Sequence, residues 1–131
     1  DPLLITCFEG LIETQHPYNF VSRECIKNLL SAEKAYEKVV PLVSKIVIPL
    51  RNALCSGLEF IDNLSIIMLL SNTVKEELNP YLNLLIQQLN KNNIISQYKE
   101  KIMELLRNLE YNGGPDALKI IKKKIPTYSG L

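Results

Sequence analysis

His16 is the only histidine in the chain, and histidine is the one side chain whose ordinary pKa suits a general base near neutral pH. A nucleophilic triad would also need a third group to orient that base. His16 is followed by Pro17, so it falls in a turn, His16-Pro17-Tyr18, and reads as a turn or surface residue. The acidic residues offer little more. Glu76 and Glu77 are adjacent, and neighbours on a helix point about 100° apart, so they read as solvated charges near a helix start. Glu100 and Glu104 lie one turn apart beside Lys101 and Arg107, the pattern of surface ion pairs. Cys7, Cys25 and Cys55 are odd in number and widely spaced, which fits neither a disulfide framework nor a zinc site. Each sits among apolar residues and is expected to act as a small buried hydrophobe, as in a reducing compartment such as the cytosol. Asn112-Gly113-Gly114-Pro115 is a glycine-rich turn ahead of a helix, but it lacks the strand and the lysine of a phosphate loop. It reads as one helix stopping and another starting. The expectation is a protein with no catalytic residue, no metal and no cofactor.

The lysines carry a sharper signal. The 131 residues have a net charge of only +1, which argues against a general nucleic-acid binder. Yet residues 1–110 hold 11 basic and 13 acidic side chains, whereas 111–131 hold 4 basic and 1 acidic. Lys119, Lys122 and Lys123 fall on one side of a short helix with Lys124 beside them, and Leu118, Ile121 and Ile125 on the other. That basic face would suit an acidic partner. The plain alternative is a solvated face whose lysines complement the helix C-terminal dipole. Tyr128 joins the four lysines as a candidate partner-binding residue. Because Ile125 and Tyr128 are apolar, the tail after Pro126 is expected to pack back on the body.

These residues need elements to hold them, and the dominant period is helical. Ile94, Tyr98, Ile102, Leu105, Leu106 and Leu109 recur at three- and four-residue steps. Val21, Cys25, Leu29 and Ala32 repeat the pattern, as do Leu58, Ile61, Ser65 and Met68. Seven helices are predicted, near 2–14, 19–32, 36–55, 58–72, 74–90, 93–111 and 115–124, with an extended end. Asp1 would cap the first. Pro49 should kink the third, and Asn79-Pro80 should interrupt the fifth.

Pro2, Pro41 and Pro80 are spaced 39 residues apart, twice over. The same step relates Leu3, Leu42 and Tyr81, then Leu4, Val43 and Leu82, then Cys7, Ile46 and Leu85, then Leu11, Leu50 and Leu89. A period near 40 with two helices per unit marks HEAT or armadillo repeats. The expected fold is therefore all-α: a HEAT/armadillo-like α-solenoid of about three helix pairs, with the last helix capping the open end. An irregular helical bundle is the alternative. At this length a single domain is expected, able to bury roughly two thirds of its unfolded surface. No apolar run approaches about 18 uninterrupted residues, so no membrane span is expected. The chain begins at Asp1 without Met and reads as a conserved domain excised from a longer chain.

Three stretches resemble a known family. DPLLITCFEGLIETQHPYNFVS at 1–22, PLVSKIVIPLRNAL at 41–54 and NGGPDALKIIKKKIPTY at 112–128 look like the start, third helix and end of the conserved domain of parkin co-regulated proteins. They look most like the branch called parkin co-regulated-like. The resemblance implies an armadillo- or HEAT-like solenoid without enzymatic activity, in a cytoplasmic and cytoskeletal setting. It implies tubulin or axonemal proteins of cilia and flagella as partners, with chaperones also among them. The leading expectation is a non-catalytic scaffold on microtubules or the axoneme. A chaperone-linked or trafficking adaptor with no microtubule role is the alternative. Against the better-known branch, the sequence is expected to depart in lacking its N-terminal extension and in having a short Asn90–Asn93 link.

Overall fold

A computed structural model describes residues 2–13, 18–57, 59–92 and 95–130. The fold is all-helical, with no strand among the described residues. In chain order the helices are α1 (Pro2–Glu9), α2 (Tyr18–Leu30), α3 (Ala35–Val39), α4 (Val43–Ser56), α5 (Phe60–Val74), α6 (Leu82–Asn92), α7 (Ser96–Gly113) and α8 (Pro115–Lys124). Tight 3-10 turns fill Gly10–Ile12, Val40–Leu42 and Lys75–Tyr81. All seven predicted helices are present. The first is shorter than expected, the third is divided by a 3-10 turn around Pro41 after α3, and the fifth opens with 3-10 geometry around Pro80. Pro41 and Pro80 bring no N–H to the helical ladder, and at both the chain tightens into a 3-10 turn before the α-helix that follows. The Asp1 cap, His16 with Pro17, Leu58 and Ile94 lie outside the described residues.

Two rows of helices share one core. α1 packs on α4, α4 on α6, and α6 on α8; behind them α2 packs on α5, and α5 on α7. Further contacts join α1 to α2, α4 to α5, and α7 to α8 across the rows. The 39-residue spacing reappears as equivalent burial. Leu4, Val43 and Leu82 are each at most 2% exposed, and Leu11, Leu50 and Leu89 are wholly buried. Phe8, Val47 and Ile86 form a further buried set at the same step. α8 takes the next place in the front row. Its Ala117 and Ile121 stand two and six residues after Pro115, as Leu4 and Phe8 do after Pro2, and both are buried.

Two expectations need correction. In α2 the buried residues are Ile26 and Leu30, while Val21 is 55% exposed and Cys25 and Leu29 are half-buried. That helix is covered mainly by α1, the Gly10–Ile12 turn and α5, so only a narrow strip is buried, one residue away from the predicted one. In α5, Ser65 is exposed and Met68 half-buried, whereas Phe60, Leu64, Ile67, Leu70 and Val74 are in the core. Neighbours on several sides bury most of this apolar helix, so periodicity alone selects no face. Although charged residues interrupt it, Ala35–Ser56 is a 22-residue helical stretch with mean hydropathy 1.4 over 18 residues, long and apolar enough to cross a bilayer by length and composition. Here Val39, Val43, Ile46, Val47, Leu50 and Leu54 are instead buried in the shared core.

Candidate functional site

The chemistry-bearing side chains do not converge among the described residues. Among the described residues no three His, Cys, Asp or Glu side chains gather as a metal site would require. Glu76 and Glu77 are exposed on the Lys75–Tyr81 turn, and Lys101 meets Glu104 at 3.9 Å on the solvent side of α7. Only Cys7 fits the expectation of a buried thiol. Cys25 is half-buried and Cys55 exposed, because Cys55 lies in the last turn of α4, beyond its core-facing positions. Burial, and then hydrogen bonding to the neighbouring Cys25, push the Cys7 thiol up to about 12, so it is inert at neutral pH.

The C-terminal segment is built as a clamp. Gly114, with φ 75° and ψ −159°, breaks α7 in a conformation suited to glycine, and Pro115 starts α8. The helix turns Ala117 and Ile121 inward and leaves Lys119, Lys122, Lys123 and Lys124 exposed. Among the described residues none of the four pairs with a carboxylate. After α8 the chain folds back. Ile125 and Tyr128 are 3% and 2% exposed, and the Tyr128 hydroxyl donates to Glu110 Oε1 on α7 at 2.8 Å. Burial, followed by that hydrogen bond and the Glu110 charge, pushes the phenol well above its usual range, with Arg107 opposing. The tail packs as expected. Tyr128 is thereby removed from the contact surface: its ring faces the core, so it positions α8 and cannot reach a partner.

The lysines of α8 are part of a larger charge division. The front-row helices α1, α4, α6 and α8 hold seven basic residues, Lys45, Arg51, Lys91, Lys119, Lys122, Lys123 and Lys124, against two acidic ones, Glu9 and Asp116. The back-row helices α2, α5 and α7 hold five of each. Lys45 and Lys91 are exposed. Asn90, next to Lys91, donates to the Lys124 carbonyl at 3.3 Å, tying the end of α6 to the end of α8. At the other end of this face a cleft of about 370 Å³ is lined by Glu9, Ile12, Lys45, Ile48, Pro49 and Asn52. Sequence reasoning missed these residues. The 39-residue step carried a signal, since it equates Glu9 with Ile48 and Gln87, and Glu13 with Asn52 and Lys91, all exposed positions.

A second unforeseen feature joins α5 to α7. Asn112 donates to Ser71 Oγ at 2.9 Å and to Asn72 Oδ1 at 2.8 Å, Asn108 donates to Asn72 Oδ1 at 3.0 Å, and Lys75 donates to Asn112 Oδ1 at 3.3 Å. These amides are mostly satisfied by one another, so they fix the register of two back-row helices.

A family model described as Parkin co-regulated protein matches residues 1–130. The chain belongs to the parkin co-regulated protein family. A mouse (Mus musculus) relative, the Parkin coregulated gene protein homolog, is 33% identical over 144 residues, covering 92% of this chain. The chain spans 58% of that relative's length. The resemblance of the three stretches at 1–22, 41–54 and 112–128 to this family is thus supported across essentially the whole chain.

Proposed function

We propose that this member of the parkin co-regulated family is a non-catalytic protein-binding scaffold, built as a short HEAT/armadillo-like solenoid and acting as an adaptor on microtubules or the axoneme. The solenoid reading is supported by the proline-led helices that repeat at 39 residues with matching burial, and by the two rows in which they pack. Stacked helix pairs of this kind share a core and leave a broad outer surface for other proteins. The observation that carries the binding role is the division of charge between those rows: seven basic residues against two acidic in front, five of each behind. A basic face attracts acidic proteins and sets their orientation. The cytoskeletal setting comes from membership of the family.

The test is co-sedimentation of the chain with stabilised microtubules, comparing wild type with a variant carrying Glu at 119, 122, 123 and 124. Saturable pelleting that the variant loses supports the adaptor. Absence of pelleting by the wild type refutes the microtubule role.

A further inference from the structure

The charge division and the cleft belong to one surface. α4 buries Val43, Ile46, Val47, Leu50, Ala53 and Leu54, so Lys45, Ile48 and Asn52 lie on its opposite, solvent side. α6 buries Leu82, Leu85, Ile86 and Leu89 and leaves Asn83, Gln87 and Lys91 outside. α8 buries Ala117 and Ile121 and leaves Lys119 and Lys123 outside. The helices pack side by side, so these residues share the outer face of the front row.

At the α1 end of that face, Ile12 and Ile48 are 48% and 43% exposed where they line the cleft, a placement that burial in the core does not explain. Pro49 lies half-buried beside them and stiffens the cleft wall. The volume of about 370 Å³ exceeds that of a single aliphatic side chain. Asn52, Lys45 and Glu9 complete the lining. Moving away from the cleft across α6 to α8, the charged residues on these outer positions are Lys91, Lys119 and Lys123, with Asp116 as the single carboxylate.

We infer that the outer face of the front row is a two-point docking surface for an acidic peptide segment of a partner protein: an aliphatic residue enters the Ile12–Ile48–Pro49 cleft while carboxylates downstream lie on Lys91, Lys119 and Lys123. This rests on the scaffold reading and specifies the chemistry of its partner. Charge complementarity selects an acidic occupant, and the apolar cleft selects a peptide. A nucleic-acid backbone has no aliphatic group to place there and would be repelled by Glu9.

The geometry sets the spacing. From α4 to α8 there are two helix-to-helix steps of about 8–10 Å each, or roughly 20 Å in all. An extended peptide covers about 3.3 Å per residue, so about six residues separate the apolar anchor from the acidic cluster.

The experiment is fluorescence anisotropy with the 131-residue chain and a labelled peptide, Leu-Gly-Ser-Gly-Ser-Gly-Ser-Glu-Glu-Glu-Glu. Its controls replace Leu by Ser or shorten the spacer to one residue. Burial of a leucine side chain predicts about tenfold weaker binding for the Ser peptide. The same loss is expected for Ile48→Glu. Because Ile48 lies on the solvent side of α4 and outside the core, that variant should keep the wild-type melting temperature, and circular dichroism checks this. The triple variant K91E/K119E/K123E should abolish binding, and wild-type binding should weaken as salt rises. Equal affinity for the Leu and Ser peptides overturns the inference. So does equal or tighter binding of a labelled DNA duplex or of phosphatidylserine vesicles at the same ionic strength. Microtubule pelleting without peptide binding overturns this surface and leaves the scaffold standing. Peptide binding without pelleting supports the surface and refutes the microtubule setting alone.

Discussion

Replacing Tyr128 by Phe removes one oxygen from the contact that closes the C-terminal end. The ring is 2% exposed and its hydroxyl donates to Glu110 Oε1 at 2.8 Å, so the substitution keeps the packing and deletes a charge-assisted hydrogen bond. Hydrogen bonds to charged groups contribute about 1.5–3 kcal/mol, and partial exposure of this pair points to the lower end, about 1.5 kcal/mol. For a domain of this size each kcal/mol moves the melting temperature by about 4 °C, so a fall of about 6 °C is expected. Urea denaturation should show the same loss without a change in slope. A double-mutant cycle with Glu110→Gln should give a coupling of at least about 0.5 kcal/mol, as contacting groups do. The pH dependence has a definite sign. The folded phenol titrates above its ordinary value of 10.0, so its contribution is complete below that pH and is lost as pH rises beyond it. Tyr128→Phe should therefore flatten the alkaline fall in stability. A variant within about 0.3 kcal/mol of wild type, with an unchanged alkaline limb, would refute the clamp.

Leu50→Ala should destabilise the chain by about 2–5 kcal/mol in urea melts, because Leu50 is wholly buried at a position the 39-residue step repeats. Gly114→Ala forces a side chain onto φ 75° and ψ −159° and should lower stability by about 1–3 kcal/mol in the same assay. With iodoacetamide near pH 8 and mass-spectrometric readout, Cys55 should be alkylated first. Cys7, buried and titrating near 12, should react only on unfolding.

Much of this arrangement is legible in the sequence. Pro2, Pro41 and Pro80 marked the front-row helices because proline suits a helix start and they recur at one spacing. The residues at fixed distances after them had to be apolar to meet the shared core. α8 was placed to the residue by the glycine pair, Pro115 and the end of its apolar–lysine pattern. The back row was less legible for a physical reason. α5 is apolar on several sides, and α2 is only partly covered, so their periodicity did not single out Phe60, Leu64 and Ile67, or Ile26 and Leu30. Tyr128 illustrates a different limit. An aromatic near a chain end fits a contact or a clasp equally well, and only the position of Glu110, eighteen residues earlier, decides between them. The cleft was invisible because Ile12 and Ile48 look like ordinary core residues until their helices are placed side by side.

The central claim is that partners meet the front row. Lysine acetylation footprinting, with and without microtubules, tests it most directly. Lys45, Lys91, Lys119, Lys122 and Lys123 should be protected in the complex, while the back-row Lys99 and Lys101 react at unchanged rates. Protection of Lys99 and Lys101 with Lys45, Lys91 and the α8 lysines left reactive would contradict it.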